Sequence, residues 1–134
     1  MAQTEHLPIY KSAYDLCLYF EQVVRNFSRY HKYSLGADLR DGAREVLKLV
    51  VRANSRRDKA PILFDLREEL EEFKVLLRLC HDVKAFPNFN SFEHAISSVT
   101  EIAKQNEGWL KSQGQSHGQD RRAMPGGLAG SSVP

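Results

Sequence analysis

Cysteine is scarce in this chain, with only Cys17 and Cys80 in 134 residues. Two thiols on apolar helix positions are too few for a disulfide framework, and they read as buried free thiols in a reducing compartment. Long apolar runs are absent too; none approaches the roughly 20 residues needed to cross a bilayer. The N-terminus lacks a charged segment followed by an apolar core, which predicts no secretory leader and a cytoplasmic protein. Metal chemistry lacks its ligands. The five histidines stand at 6, 31, 81, 94 and 117, none paired with another at ligand spacing. HExxH, CxxC and the repeated Glu-x-x-His of di-iron bundles do not occur. His81 beside Cys80 points to a different azimuth and reads as a partly exposed helix histidine. Glycine motifs that cradle phosphates are missing, since GQSHGQ lies near the C-terminus outside any strand-to-helix context. No nucleophile elbow is found, and the adjacent carboxylates of Glu68–Glu72 cannot share one helix face as an acid/base pair. An enzyme reading has almost nothing to stand on, and no cofactor or metal is expected.

What the chain does have is helical periodicity. Pro8 suits the first turn of a helix, where its missing N–H costs nothing. Tyr10, Ala13, Cys17, Phe20, Val24 and Phe27 then alternate steps of three and four, widened by Ile9, Leu16 and Val23, predicting a helix over 8–28. Ser34 is placed to cap a second helix, with Asp38 near its positive end. Leu35, Leu39, Val46, Val50 and Ala53 form the buried face, and Asn54-Ser55 ends it. Gly42 lies in the middle at a cost of up to about 1 kcal/mol relative to alanine, which close helix packing would explain. Asp58–Pro61 opens a third helix with the seam Leu63, Leu66, Leu70, Phe73, Leu77 and Cys80. After the turn AFPNFN, Asn90 with Glu93 resembles a capping box, and Phe92, Ile96, Val99, Ile102, Ala103, Trp109 and Leu110 follow. No strand pattern competes. The expected fold is all-α, an antiparallel up-down-up-down four-helix bundle over 8–112. A flexible N-terminus over 1–7 precedes it. A disordered tail over 113–134 follows, rich in Gly, Ser, Gln and Pro.

Charge is unevenly spread. Residues 21–60 carry ten Lys and Arg against five acids, a formal +5, whereas 61–112 carry six against nine, a formal −3. Arg40, Arg44, Lys48 and Arg52 recur every fourth residue, one slanting stripe roughly 18 Å long. Arg56, Arg57 and Lys59 extend it, and Arg29, His31 and Lys32 precede it. Asp41–Arg44 and Glu45–Lys48 are spaced for ordinary surface pairs. Arg52, Arg56, Arg57 and Lys59 have only Asp58 nearby and repel one another, a pattern that a polyanion would neutralise. Charge alone leaves a solvated face and a nucleic-acid face both open. Phe27 reads as a plug at the bundle end, while Tyr30 and Tyr33 stay open between that role and stacking on unpaired bases.

Four strings carry a family resemblance. They are Tyr14-Asp15-Leu16; Phe27-Ser28-Arg29-Tyr30-His31-Lys32-Tyr33-Ser34-Leu35-Gly36; Leu76-Leu77-Arg78-Leu79; and Gly108-Trp109-Leu110-Lys111. Over roughly 8–112 the chain resembles the Avd proteins, the accessory variability determinants of diversity-generating retroelements. The second string is the most specific. Ser28 stands where the family often has proline, a change that could alter the helix 1–2 turn, and Glu107 stands where it has a second glycine before Gly-Trp. The resemblance implies a small basic bundle forming a barrel-like homo-pentamer. It also implies association with the retroelement's reverse transcriptase and binding of template-repeat RNA or its cDNA, with the polymerase supplying the chemistry of mutagenic retrohoming. From charge, and not from a family motif, we assign Arg29, Lys32, Arg40, Arg44, Lys48, Arg52, Arg56 and Arg57 as candidate contacts to RNA phosphates or the polymerase. Phe86 and Phe89 are candidate exposed aromatics for subunit packing. The competing class is a four-helix interaction or structural protein of the ribosomal-RNA intervening-sequence type, without direct nucleic-acid binding.

Overall fold

The computed structural model describes residues 6–122, with side chains through Gly114. Helix α1 spans Pro8–Val23 and passes through a 3₁₀ turn, Val24–Asn26, to a single helical turn, α2, at Arg29–Lys32. Helix α3 follows at Leu35–Ser55, α4 at Ala60–Asp82 and α5 at Phe89–Arg122. No strand occurs among the described residues. Helices α1 and α4 each pack against both α3 and α5, which is the square of an up-down-up-down bundle. Polar ties fix the antiparallel register. The Tyr19 hydroxyl donates to the Ser91 carbonyl at 2.7 Å, joining the end of α1 to the start of α5. At the other end, buried Asn106 donates to the Leu63 carbonyl at 3.1 Å and Gln105 to Ser12 at 3.3 Å.

One core runs through the bundle, with Leu16, Phe20, Leu39, Val46, Leu63, Leu66, Phe73, Leu77 and Ile102 among its fully buried members. Ile9, Leu16 and Val23 are central in α1, while Tyr10 and Cys17 sit at its partly buried edge, so the seam is rotated from the expected one. Helix α1 also ends five residues early. Its last turn tightens to 3₁₀ geometry and Phe27 turns extended, its N–H donating to the Val24 carbonyl at 3.0 Å.

The caps differ from expectation. Ser34 caps no amide of α3; its hydroxyl donates backward to the Tyr30 and His31 carbonyls at 3.3 and 3.4 Å, closing α2 instead. At the last helix the cap is Asn88 and not Asn90, because α5 begins at Phe89 and Asn90 already lies inside it. The Asn88 Oδ1 accepts from the Ser91 N–H at 2.8 Å and its hydroxyl at 3.0 Å. Ser28 has φ −61° and follows an extended Phe27, a geometry that a proline also adopts, so the departure at this position leaves the turn unaltered. Helix α4 ends in a Schellman arrangement, with Ala85 N–H on Cys80 O at 2.8 Å and Lys84 N–H on His81 O at 3.0 Å. Lys84 takes the left-handed conformation there, φ 64°, a position that usually holds glycine.

The expected tail, 113–134, falls mostly outside the description. The backbone of α5 continues through Arg122, past the change of composition at Ser112. Positions 1–5 and 123–134, and the side chains of 115–122, lie outside the described residues.

Gly42 earns its place in mid-helix through packing. A Cβ there would lie 2.6 Å from the Phe73 ring. That ring is itself held edge-on by Phe20, with centroids 5.4 Å apart, so it has little room to yield. Gly42→Ala should therefore destabilise the bundle by about 1–3 kcal/mol despite alanine's better helix propensity. Urea unfolding checks this, and an unchanged or higher midpoint would show that α3 and α4 can part without cost.

Candidate nucleic-acid interface

The basic residues of α3 lie along one drifting line, because each step of four residues rotates by about 40° around a helix. The line starts against α1 and turns outward. Arg40 is at the inner end, its side chain only 23 % exposed. It donates to the backbone carbonyl of Glu21 at 2.9 Å, and its Nε lies 3.3 Å from the Glu21 carboxylate. Helix α1 has no basic residue in its last turn, so Arg40 supplies from a neighbouring helix the cation that the exposed carbonyls there favour. Arg44, half exposed, bridges Glu21 and Asp41, both at 2.9 Å. The Asp41 pair was legible from spacing. Glu21, 23 residues away in sequence, was not, and it is the acid that engages both arginines.

Beyond Arg44 the charge is open. Lys48, Arg52, Arg56 and Arg57 are exposed, and among the described residues none has an ion-pair partner. The spacing of Glu45 and Lys48 does not become a bridge. Lys59, the last member of the stripe, turns inward instead. Its ammonium donates to the carbonyls of Ala53, Asn54 and Arg56, at 3.3, 3.4 and 2.6 Å, and closes the C-terminus of α3.

Arg29 and Lys32 do not join this cluster. They lie on α2 beyond the opposite end of α3, a helix of 21 residues and so about 30 Å long. The eight candidate residues thus fall into an engaged pair, Arg40 and Arg44, an open patch at one bundle end, and a separate pair at the other. Arg25 and Lys84, which were not candidates, are exposed at that second end. Of the candidate aromatics, Phe89 is exposed but Phe86 is buried. Its ring stands edge-on to Phe27 at 5.4 Å and to Phe92 at 5.8 Å, so Phe86 plugs the bundle end and is not the exposed ring that was expected.

The other side of α3 is acidic. Asp38, Asp41, Glu45, Glu69 and Glu72 line a groove of about 380 Å³ against α4, floored by Gly42, Phe73 and Leu76. Burial, then the charges of Glu72 and Glu45, push the Glu69 carboxyl above its ordinary value. Helix α3 therefore separates a cationic face from an anionic one. Burial also raises both thiols, Cys80 to about 12, which leaves little thiolate to act as a nucleophile at neutral pH. His81 stacks on Phe92 at 4.2 Å and is partly buried. Among the described residues no group of three or more His, Cys, Asp or Glu is placed to hold a metal ion, and no helix is long and apolar enough to cross a membrane.

A four-helix bundle with a basic edge on its second long helix is thus the class of protein that fold and surface define. Its family is equally definite: residues 7–113 match the bAvd-like family model, and the chain belongs to that family. These are accessory, non-catalytic proteins of diversity-generating retroelements. No curated protein matches the chain.

The raised Glu69 carboxyl has a consequence for stability. Its ionised form is disfavoured by folding, so the penalty is present at neutral pH, declines as pH falls through the folded-state value and is gone below the unfolded-state value. Glu69→Gln should raise stability at pH 7 by a few tenths of a kcal/mol after solvent screening, and by less near pH 4. Thermal melts at the two pH values check this; an equal gain at both would show that the effect is not electrostatic.

Proposed function

We propose that this protein serves a diversity-generating retroelement by binding its reverse transcriptase and its template RNA or cDNA through a basic surface. The observation that supports the reading is the open patch of Lys48, Arg52, Arg56 and Arg57, four exposed cations with no ion-pair partner among the described residues. Like charges at such spacing repel, and a polyanion relieves that repulsion while releasing its own counterions. Arg40 and Arg44 hold α1 against α3 and serve this surface indirectly. The protein acts as a homo-pentamer. Exposed Phe64, Val75 and Leu79 on α4, with Val83 just past its end, supply apolar surface suited to subunit packing.

The test is titration of labelled structured RNA at several salt concentrations, beside the triple change Lys48→Glu, Arg52→Glu, Arg56→Glu. Binding should weaken steeply with salt, and the folded triple variant should lose tenfold or more in affinity at low salt. Equal binding by the variant would remove the patch from the interface. Failure of the unmodified protein to bind at low salt would leave a protein-docking or structural bundle of the ribosomal-RNA intervening-sequence type. Sedimentation should find one species of five subunits, and a monomer at working concentration would refute the pentamer.

A further inference from the structure

Tyr30 and Tyr33 present large rings to solvent, 85 % and 73 % exposed, at the end of the bundle far from the open patch. Neither plugs the core. Phe27 does that, 3 % exposed and packed edge-on against Phe86. The turn carrying the tyrosines is nevertheless well held. His31 and Lys32 amides donate to the Ser28 carbonyl at 3.0 and 2.9 Å, and the Ser34 hydroxyl closes back onto the Tyr30 and His31 carbonyls. The Tyr30 ring also stands edge-on to His31 at 4.9 Å. Two rings on a fixed mount contribute little to the core, so their value lies outside the fold.

Positive charge surrounds them. Residues 22–37 contain Arg25, Arg29 and Lys32 and no acid. The Phe27–Phe86 contact brings the α4–α5 turn alongside, and with it Lys84 in its left-handed conformation. Lys84 lies just past the C-terminus of α4, where the helix dipole favours a cation, and its exposed side chain adds positive charge to this end. Exposed Phe89 opens α5 just past that turn, beside a cleft of about 480 Å³ that it lines with His81, Asp82, Lys84 and Phe86 among others. The acid of that turn, Asp82, lies 3.9 Å from Arg78, and Asp38 lines the groove toward α4.

We propose that this end of the bundle binds a single-stranded segment of RNA. Tyr30 and Tyr33 stack on its unpaired bases, and Arg25, Arg29, Lys32 and Lys84 hold its phosphates. The inference rests on the RNA-binding reading above and adds to it a second site, about the length of α3 away from the first, with a defined ligand class. Bases in a duplex are already stacked on one another and offer no free face to a tyrosine ring, whereas every unpaired base does. An acidic protein surface would satisfy the cations and bury the rings as well, and unchanged single-strand binding on removal of the rings is its outcome in the test below.

Fluorescence anisotropy of the full chain with a short unstructured RNA, beside a hairpin duplex of equal charge, tests this. Tyr30→Ala with Tyr33→Ala should weaken single-strand binding by about tenfold to a hundredfold while leaving the duplex unaffected. The salt slope should not change, since no charge is lost. Tyr30→Phe with Tyr33→Phe should restore affinity, because the ring and not the hydroxyl stacks. Arg29→Ala with Lys32→Ala should weaken binding with a shallower salt slope, and serves as the second variant if the alanine pair unfolds by circular dichroism. Equal single-strand binding by the alanine pair, or parallel loss on duplex, overturns the inference. If that happens while the Lys48, Arg52 and Arg56 variant still loses RNA, only this second site falls. If the unmodified protein binds neither RNA, the RNA reading falls with it.

Discussion

The contact between Gly42 and the Phe73 ring sets the geometry on which the rest of this bundle depends. With no side chain at 42, α3 can lie close to α4, and Phe73 fills the space between that backbone and Phe20 of α1. Three helices meet at one ring. The azimuth of α3 follows, and with it the placing of every charge along the helix. Asp38, Asp41 and Glu45 turn toward α4, Arg40 toward α1, and Lys48 and Arg52 toward solvent.

Having α3 in that orientation divides its cations by task. Those near helix ends are drawn to exposed carbonyls, which carry partial negative charge: Arg40 at the end of α1 and Lys59 at the end of α3. Arg44 is held by carboxylates from its own helix and from α1. Only the remainder is available to a partner. A basic stripe counted from sequence therefore overstates the charge left open, because a guanidinium reads the same whether it caps a helix or faces solvent.

The two departures from the family pattern also acquire physical content. Ser28 already holds a backbone angle that proline would fix, so the turn into α2 is kept without it. Glu107 forms a fork with Arg67 of α4, at 2.8 and 2.6 Å, and the pair shifts both groups toward their charged forms. Where a second glycine would have left the α4–α5 edge bare, this chain carries a bidentate bridge, half exposed and so of modest strength.

Sequence alone determined the four long helices and the family, but not the 3₁₀ turn and single helical turn between the first two. Steps of three and four in apolar residues, prolines in first turns and the string from Phe27 to Gly36 are local signals, and a bundle with short connections has few ways to assemble from them. The sites were only half legible. Asp41 was visible as the partner of Arg44 because it lies one turn away, but Glu21 was not, being distant in sequence and adjacent only once α1 packs on α3. Caps slipped by residues, from Asn90 to Asn88 and from a forward to a backward Ser34, because the register of a helix start depends on what the preceding turn can satisfy. Phe86 looked exposed and Tyr30 uncertain for the same reason: a turn sequence does not say which ring points into the bundle end. Tertiary structure decided that one, since the core end has room for Phe27 and Phe86, and the two tyrosines were left outside it.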